Sequence, residues 1–144
     1  MELGLLNRCI VAIAPQTREW FETTLAAHFP SVPMQLVNGG VERQDSVYKG
    51  LEALDPSTDI VVIHDAARPF VSVESIRASI DAAAEFGAAS VAIPSVDTIL
   101  VADNDVCLRD TPDRNALWAC QTPQTFRVEV LRYAHEQARR TGHT

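Results

Sequence analysis

The chain has 144 residues, 47% of them hydrophobic and 22% charged, and a formal net charge of −7. That length fits one domain with a sizeable core, and the apolar content excludes a disordered chain. The acidic balance argues against nucleic-acid binding through a broad basic face.

In chain order, Cys9 to Ala14 is an apolar strand segment. Thr17 to Phe29 places Trp20, Phe21, Leu25 and Phe29 at helical spacing. Met34 to Val37 is a short strand that runs into the turn Asn38-Gly39-Gly40. Glu42 to Leu54 predicts a helix with Val47, Leu51 and Leu54 on one face. Asp59 to Ile63 is short, β-branched and apolar on both faces, the pattern of a strand buried within a parallel sheet. A helix follows from Ser72 or Val73 to Phe86, with Ser72 as its cap and Gly87 at its end. Ala89 to Ile93 is a further buried strand, stopped by Pro94. After it, Thr98 to Ala102 and Val106 to Arg109 flank Asp103-Asn104-Asp105, which predicts a two-stranded arm with a polar turn. Leu117 to Cys120 returns toward the main sheet, and Arg127 to Arg140 forms a last helix with Val130, Leu131, Ala134 and Ala138 apolar. The alternation of strand and helix up to Pro94 predicts an α/β fold.

No apolar run reaches the length of a membrane span, and the first residues lack a basic-then-apolar signal pattern. The expectation is a soluble cytoplasmic protein with neither membrane nor nucleic acid as partner. Cys9, Cys107 and Cys120 have neither disulfide nor zinc spacing, so buried free thiols are expected.

The densest chemistry lies in His64-Asp65-Ala66-Ala67-Arg68-Pro69-Phe70. It sits just past the carboxyl end of a strand, where open α/β sheets bind ligands. Ala66-Ala67 leave room for a ligand to approach the backbone. His64 reads as a satisfied packing residue. Arg68 has two open readings, phosphate binding or bracing of the loop against a carboxylate. Gly39-Gly40 lets the backbone pass close to a planar group, and Ser46 follows one turn into the next helix; from local pattern alone this reads as a plain turn.

Three segments, taken in register, carry a resemblance. They are Asn38 to Val47, His64 to Phe70, and Asp113-Arg114-Asn115 running on to Leu117-Trp118 and Gln121-Thr122-Pro123-Gln124. Together they resemble the cytidylyltransferases of the non-mevalonate isoprenoid pathway, which join 2-C-methyl-D-erythritol 4-phosphate to the CMP part of CTP and release pyrophosphate. The resemblance runs from about Cys9 to about Ala138. It implies a single nucleotidyltransferase-like domain over residues 1–144, Rossmann-like with a mostly parallel sheet, and a protruding β-arm at about 97–119 for dimerisation. It also implies CTP and a sugar-alcohol phosphate as substrates, Mg²⁺ as cofactor, and a homodimer whose sites are completed across the interface.

The resemblance further assigns roles. Gly40 and Ser46 recognise the base. Asp65, by its place at the strand end, meets a ribose hydroxyl or the Mg²⁺, with Ala66 and Arg68 beside it and a carboxylate that caps the loop as the alternative. Thr98 and Arg114 contact the methylerythritol phosphate, with Arg114 the catalytic group because its planar fork can hold two phosphate oxygens. For Arg114 an ion pair with Asp110 or Asp113 stays open. For Thr122, hydrogen bonding within the Thr122-Pro123-Gln124 turn stays open beside substrate contact. Val41 is given no side-chain role.

The family also carries a first strand, a Gly-rich loop with an arginine and Pro-Lys-Gln, and a later strand with a lysine, none of which occurs in these 144 residues. The expectation is therefore the middle of the enzyme, with the first strand missing. The strands at 9–14 and 34–37 should then separate from those at 59–63 and 89–93, or pair anew. CTP binding should be weak or absent, with no turnover by this stretch alone. Two rivals remain: a cytidylyltransferase for another polyol phosphate such as ribitol 5-phosphate, and a non-catalytic dimerising remnant.

Overall fold

The computed structural model describes residues 3–29 and 33–142. The chain divides into two units, Met1–Val61 with Arg127–Thr144, and Val62–Phe126. In the first unit, β1 (Cys9–Ile13) and β2 (Met34–Asn38) pair in parallel, from Cys9 opposite Met34 to Ile13 opposite Asn38. Such a pairing needs a crossover, and α1 (Arg18–His28) supplies it. This helix is less buried than its spacing predicts. Phe21 and Leu25 are half-buried, whereas Trp20 is 62% and Phe29 53% exposed.

The next helix, α2 (Arg43–Glu52), packs on β1 and β2 and buries Leu51. It begins one residue later than expected because Glu42 serves as its cap. Glu42 and Asp45 form a reciprocal capping box, in which the Glu42 backbone N–H donates to Asp45 Oδ2 at 3.2 Å. Helix α4 (Val128–Thr141) buries Val128, Leu131 and His135. Sequence spacing put Val130 and Ala134 on that face; both are exposed. The buried stripe runs at i, i+3 and i+7 from Val128, a helical face with a histidine in it. Arg132 of α4 donates to the Leu51 carbonyl at 3.1 Å, and Arg139 stacks 3.5 Å from the Tyr48 ring centroid.

A three-stranded sheet, most of whose residues belong to the second unit, runs in the order β3 (Ile60–Ile63), β7 (Trp118–Arg127), β4 (Ala88–Pro94). Among the described residues, the β1–β2 pair and the sheet holding β3 and β4 are separate sheets. Two expectations are corrected. β3 is half-buried at a sheet edge rather than in the middle, because β7 takes the central place. And β7 runs straight through the segment read as a Thr122-Pro123-Gln124 turn. Its antiparallel register with β4 accommodates the proline by a bulge: Ser90 faces Gln124 and Ala92 faces Cys120, two steps on β4 against four on β7. The Thr122–Pro123 peptide is cis.

Helix α3 (Val73–Phe86) packs on β4. Its ends match the sequence reading. Ser72 Oγ accepts from the Ser75 backbone N–H at 3.1 Å, and Gly87 closes the helix at φ 89°, donating to the Ala83 carbonyl. The arm is a short antiparallel hairpin of β5 (Val101–Ala102) and β6 (Leu108–Asp110), shorter than predicted. The turn takes more chain than Asp103-Asn104-Asp105. Asp103 Oδ1 accepts from the backbone of both Asp105 and Cys107, which draws Val106 into the turn at φ 62°. The three cysteines are exposed rather than buried: Cys107 lies in this hairpin turn, and Cys9 and Cys120 lie on β-strands whose ends open to solvent. No helix among the described residues is long and apolar enough to cross a membrane.

Candidate functional site

In the first unit the candidate site is a turn joined to a helix start. Chain leaving β2 is fixed by the Gly39 N–H, which donates to the Ile13 carbonyl at 2.7 Å. Gly40 N–H then donates to Ser46 Oγ at 2.9 Å, and Ser46 Oγ donates to the Glu42 carbonyl at 3.2 Å. Lys49 reaches back to the Gly39 carbonyl at 2.9 Å. Neither glycine has a positive φ. The need at Gly40 is steric: a Cβ there would lie 2.0 Å from Asp45 Cβ and 3.0 Å from the Asp45 carbonyl carbon. The two predicted residues Gly40 and Ser46 are thus brought together, with the serine proton engaged on Glu42 and an acceptor lone pair left over. Val41, given no role, is 95% exposed.

The same helix start borders a shallow cavity of about 150 Å³ between α2 and α4, lined by Glu42, Gln44, Asp45, Tyr48, His135 and Arg139 among others. His135 was missed by sequence reasoning, although its place seven residues after Val128 marks it as core-facing. Its ring lies 5.6 Å from that of Tyr48. Burial pushes its pKa below the ordinary histidine value, the Arg139 charge adds to this, and Asp45 acts the other way.

In the second unit the loop after β3 is clamped to two consecutive residues of β7. His64 lies between them: its Nε2 is 2.8 Å from the Arg68 carbonyl and its Nδ1 is 3.0 Å from Thr122 Oγ1. The Asp65 backbone N–H donates to the same Thr122 oxygen at 3.2 Å. Arg68 Nη1 donates to Gln121 Oε1, and its Nε is 3.9 Å from Asp65 Oδ2. The Arg68 N–H closes the turn onto the Asp65 carbonyl at 2.9 Å, leaving Ala66 exposed between them. Of the two readings of Arg68, bracing of the loop is the one these contacts describe. The alternative for Thr122 is corrected: its hydroxyl bonds across to the loop rather than within its own segment, because that segment is extended strand.

Thr98 and Arg114 lie along the arm. Thr98 is exposed between β4 and β5. Arg114 starts a short 3-10 turn, Arg114–Ala116, and donates from Nη1 to the Val96 carbonyl at 3.4 Å. The ion pair weighed for it does not form: Asp113 instead accepts from the Asn115 backbone and amide, and Asp110 accepts from the Thr111 N–H. Among the described residues no three His, Cys, Asp or Glu side chains converge. The loop offers Mg²⁺ the Asp65 carboxylate rather than a protein cage, and this fits an ion that takes one or two carboxylates and completes its shell with phosphates and water.

Comparison with known proteins adds to this geometry. The model of the 2-C-methyl-D-erythritol 4-phosphate cytidylyltransferase family matches residues 2–144. The enzyme of that name from Caldanaerobacter subterraneus subsp. tengcongensis is 44% identical over 142 residues, covering 98% of this chain and 63% of its own. That from Bacillus pumilus is 48% identical over 137 residues, covering 94% and 58%. Among solved structures, the 4-diphosphocytidyl-2C-methyl-D-erythritol synthase of Anaerococcus prevotii superposes with a TM-score of 0.85 at 29% identity, over 94% of this chain and 59% of that one. The Thermus thermophilus 2-C-methyl-D-erythritol 4-phosphate cytidylyltransferase gives 0.72 at 34% identity, over 94% and 61%. The chain thus spans 63% and 58% of the two relatives' lengths. These neighbours share the α/β, Rossmann-like fold expected from the sequence. The chain belongs to the 2-C-methyl-D-erythritol 4-phosphate cytidylyltransferase family.

Proposed function

We propose that this chain serves transfer of the CMP part of CTP to 2-C-methyl-D-erythritol 4-phosphate. An oxygen of the acceptor phosphate attacks the α-phosphorus in line, the bond to the β-phosphate breaks, and pyrophosphate leaves. One observation carries the reading: the family match spans residues 2–144 and so takes in all three polar segments at once. Such a reaction asks for positioning and charge stabilisation rather than covalent help. Gly40, through its backbone, and Ser46, through its spare lone pair, face a base carrying an amino donor. Asp65 receives a ribose hydroxyl or joins Mg²⁺, with Ala66 leaving space and Arg68 bracing. Bound with CTP, Mg²⁺ would offset phosphate charge. Thr98, Arg114 and Thr122 belong to the acceptor side, where an Arg114 guanidinium with no carboxylate partner among the described residues suits a phosphate. Residues 1–144 serve one nucleotidyltransferase-like domain in a cytoplasmic homodimer, with the arm at about 97–119 meeting a second copy.

The test is pyrophosphate release from CTP and methylerythritol phosphate, by residues 1–144 and by a version extended with the family's Gly-rich loop and later lysine segment. The extended version should turn over; the 144 residues alone should bind CTP weakly or not at all and release nothing. Arg114→Lys in the active version should lower turnover by about two orders of magnitude, the loss of about 3 kcal/mol of transition-state stabilisation, with CTP binding kept. Unchanged kinetics would remove Arg114 from the chemistry. Silence from both versions would favour a non-catalytic remnant, and preference for ribitol 5-phosphate would reassign the acceptor.

A further inference from the structure

We propose that His64, which carries no role in the reading above, is the positioning residue of the Asp65 loop, acting through Thr122 in a fixed Nε2–H tautomer. The assignment follows from donor and acceptor counting. The Arg68 carbonyl can only accept, and it lies 2.8 Å from His64 Nε2, so that nitrogen carries the hydrogen. In a neutral ring Nδ1 is then an acceptor. Thr122 Oγ1, 3.0 Å away, turns its proton toward it. With the hydroxyl proton so directed, a lone pair of Thr122 Oγ1 faces the Asp65 N–H at 3.2 Å. Each member thus has one consistent role in a chain that runs from the Asp65 amide through Thr122 and His64 to the Arg68 carbonyl. The chain closes on the loop it starts from, so Asp65 and Arg68 are held by the same imidazole. Thr122 is 7% exposed, which keeps water from replacing its partners.

One consequence concerns ligands. With its proton on His64, the Thr122 hydroxyl offers a ligand only an acceptor lone pair. It suits a hydroxyl or a metal-bound water, and it cannot donate to an anionic phosphate oxygen. The placement of Asp65 as a nucleotide or Mg²⁺ contact rests on the proposed function; the hydrogen-bond chain does not.

The test uses the 144-residue chain. Long-range ¹H–¹⁵N correlation, with the His64 signals identified from their absence in His64→Asn, should show Nε2 protonated and Nδ1 bare. Exchange of the Asp65 amide should quicken about tenfold in Thr122→Val and in His64→Ala, the loss of a bond of ordinary strength. His64→Asn, whose side-chain oxygen takes the place of Nδ1, should restore protection, which a merely space-filling role would not. An Nδ1–H tautomer, or equal exchange in Asn and Ala variants, overturns the proposal. Mg²⁺–CTP titration of a version extended with the family's Gly-rich loop and later lysine segment separates the two readings: its failure to bind counts against the nucleotide role alone, while the tautomer and exchange data decide His64.

Discussion

Substituting alanine at three glycines tests whether the Gly40 turn is held by packing. At Gly40 the added Cβ would meet Asp45 Cβ at 2.0 Å and Asp45 backbone at 3.0 and 3.1 Å. Those atoms sit in the capping box and cannot rotate away. Relief requires the turn to leave the start of α2. The Gly40–Ser46 bond is then lost, about 1 kcal/mol, along with much of the cap, about 1 kcal/mol. Residual overpacking adds to this, so the total is about 2–4 kcal/mol. At Gly39 the nearest atom is Ser46 Oγ at 3.1 Å, a side chain that can yield; about 1 kcal/mol is expected there. At Gly50, inside α2, nothing lies within 4 Å, and alanine should stabilise by about 0.5–1 kcal/mol through helix propensity. Urea unfolding followed by tryptophan fluorescence should rank the midpoints Gly50→Ala, parent, Gly39→Ala, Gly40→Ala. With m of about 2 kcal/mol/M, the middle of the usual range for urea, Gly40→Ala should lose roughly 1–2 M. A Gly40→Ala midpoint equal to the parent's would refute the steric account of this turn.

Three further outcomes are expected. His135 has a depressed pKa, so below the ordinary histidine value of about 6.5 the unfolded chain binds a proton that the folded chain resists. Its contribution is complete above that value and falls as pH drops through it; urea midpoints from pH 5 to 8 should show this slope, and His135→Gln should flatten it. In the buried pair of Ser79 and Thr125, Ser79 Oγ donates to the Ile76 carbonyl at 2.8 Å, so Thr125 must donate to Ser79 across 2.8 Å. Ser79→Ala should therefore cost about 1–3 kcal/mol by stranding a fully buried hydroxyl, and adding Thr125→Val should recover part of it; strictly additive losses would contradict the pairing. On the arm, Leu100, Val106 and Leu108 are 63%, 85% and 65% exposed, and an isolated hairpin is marginal; sedimentation should show self-association that Leu108→Asp weakens, and a parent that is strictly monomeric at micromolar concentration would count against the arm's role.

Local sequence determined much of this protein. Ser72 and Gly87 set the ends of α3 through a cap and a left-handed residue, features that need no distant partner. The spacing of Leu51 and Val47 fixed the inner face of α2, and the three polar segments led to the family. Gly40 and Ser46 read locally as a plain turn, and the resemblance grouped them; they meet because a turn and the first turn of the next helix lie within six residues of each other. What tertiary structure alone decided lies where contacts cross long stretches of chain. A proline beside a threonine reads locally as a turn, yet pairing with β4 draws Thr122-Pro123-Gln124 into a central strand with a bulge. That register brings Thr122 to His64 and Asp65, 58 and 57 residues away, and converts a histidine with no evident task into the centre of the loop's hydrogen bonding. Likewise, His135 is polar by composition, and only the packing of α4 on α2 buries it beside Tyr48. Periodicity reports which face of an element is apolar; which polar side chain finds a buried partner depends on the element packed opposite, and that is set by the whole chain.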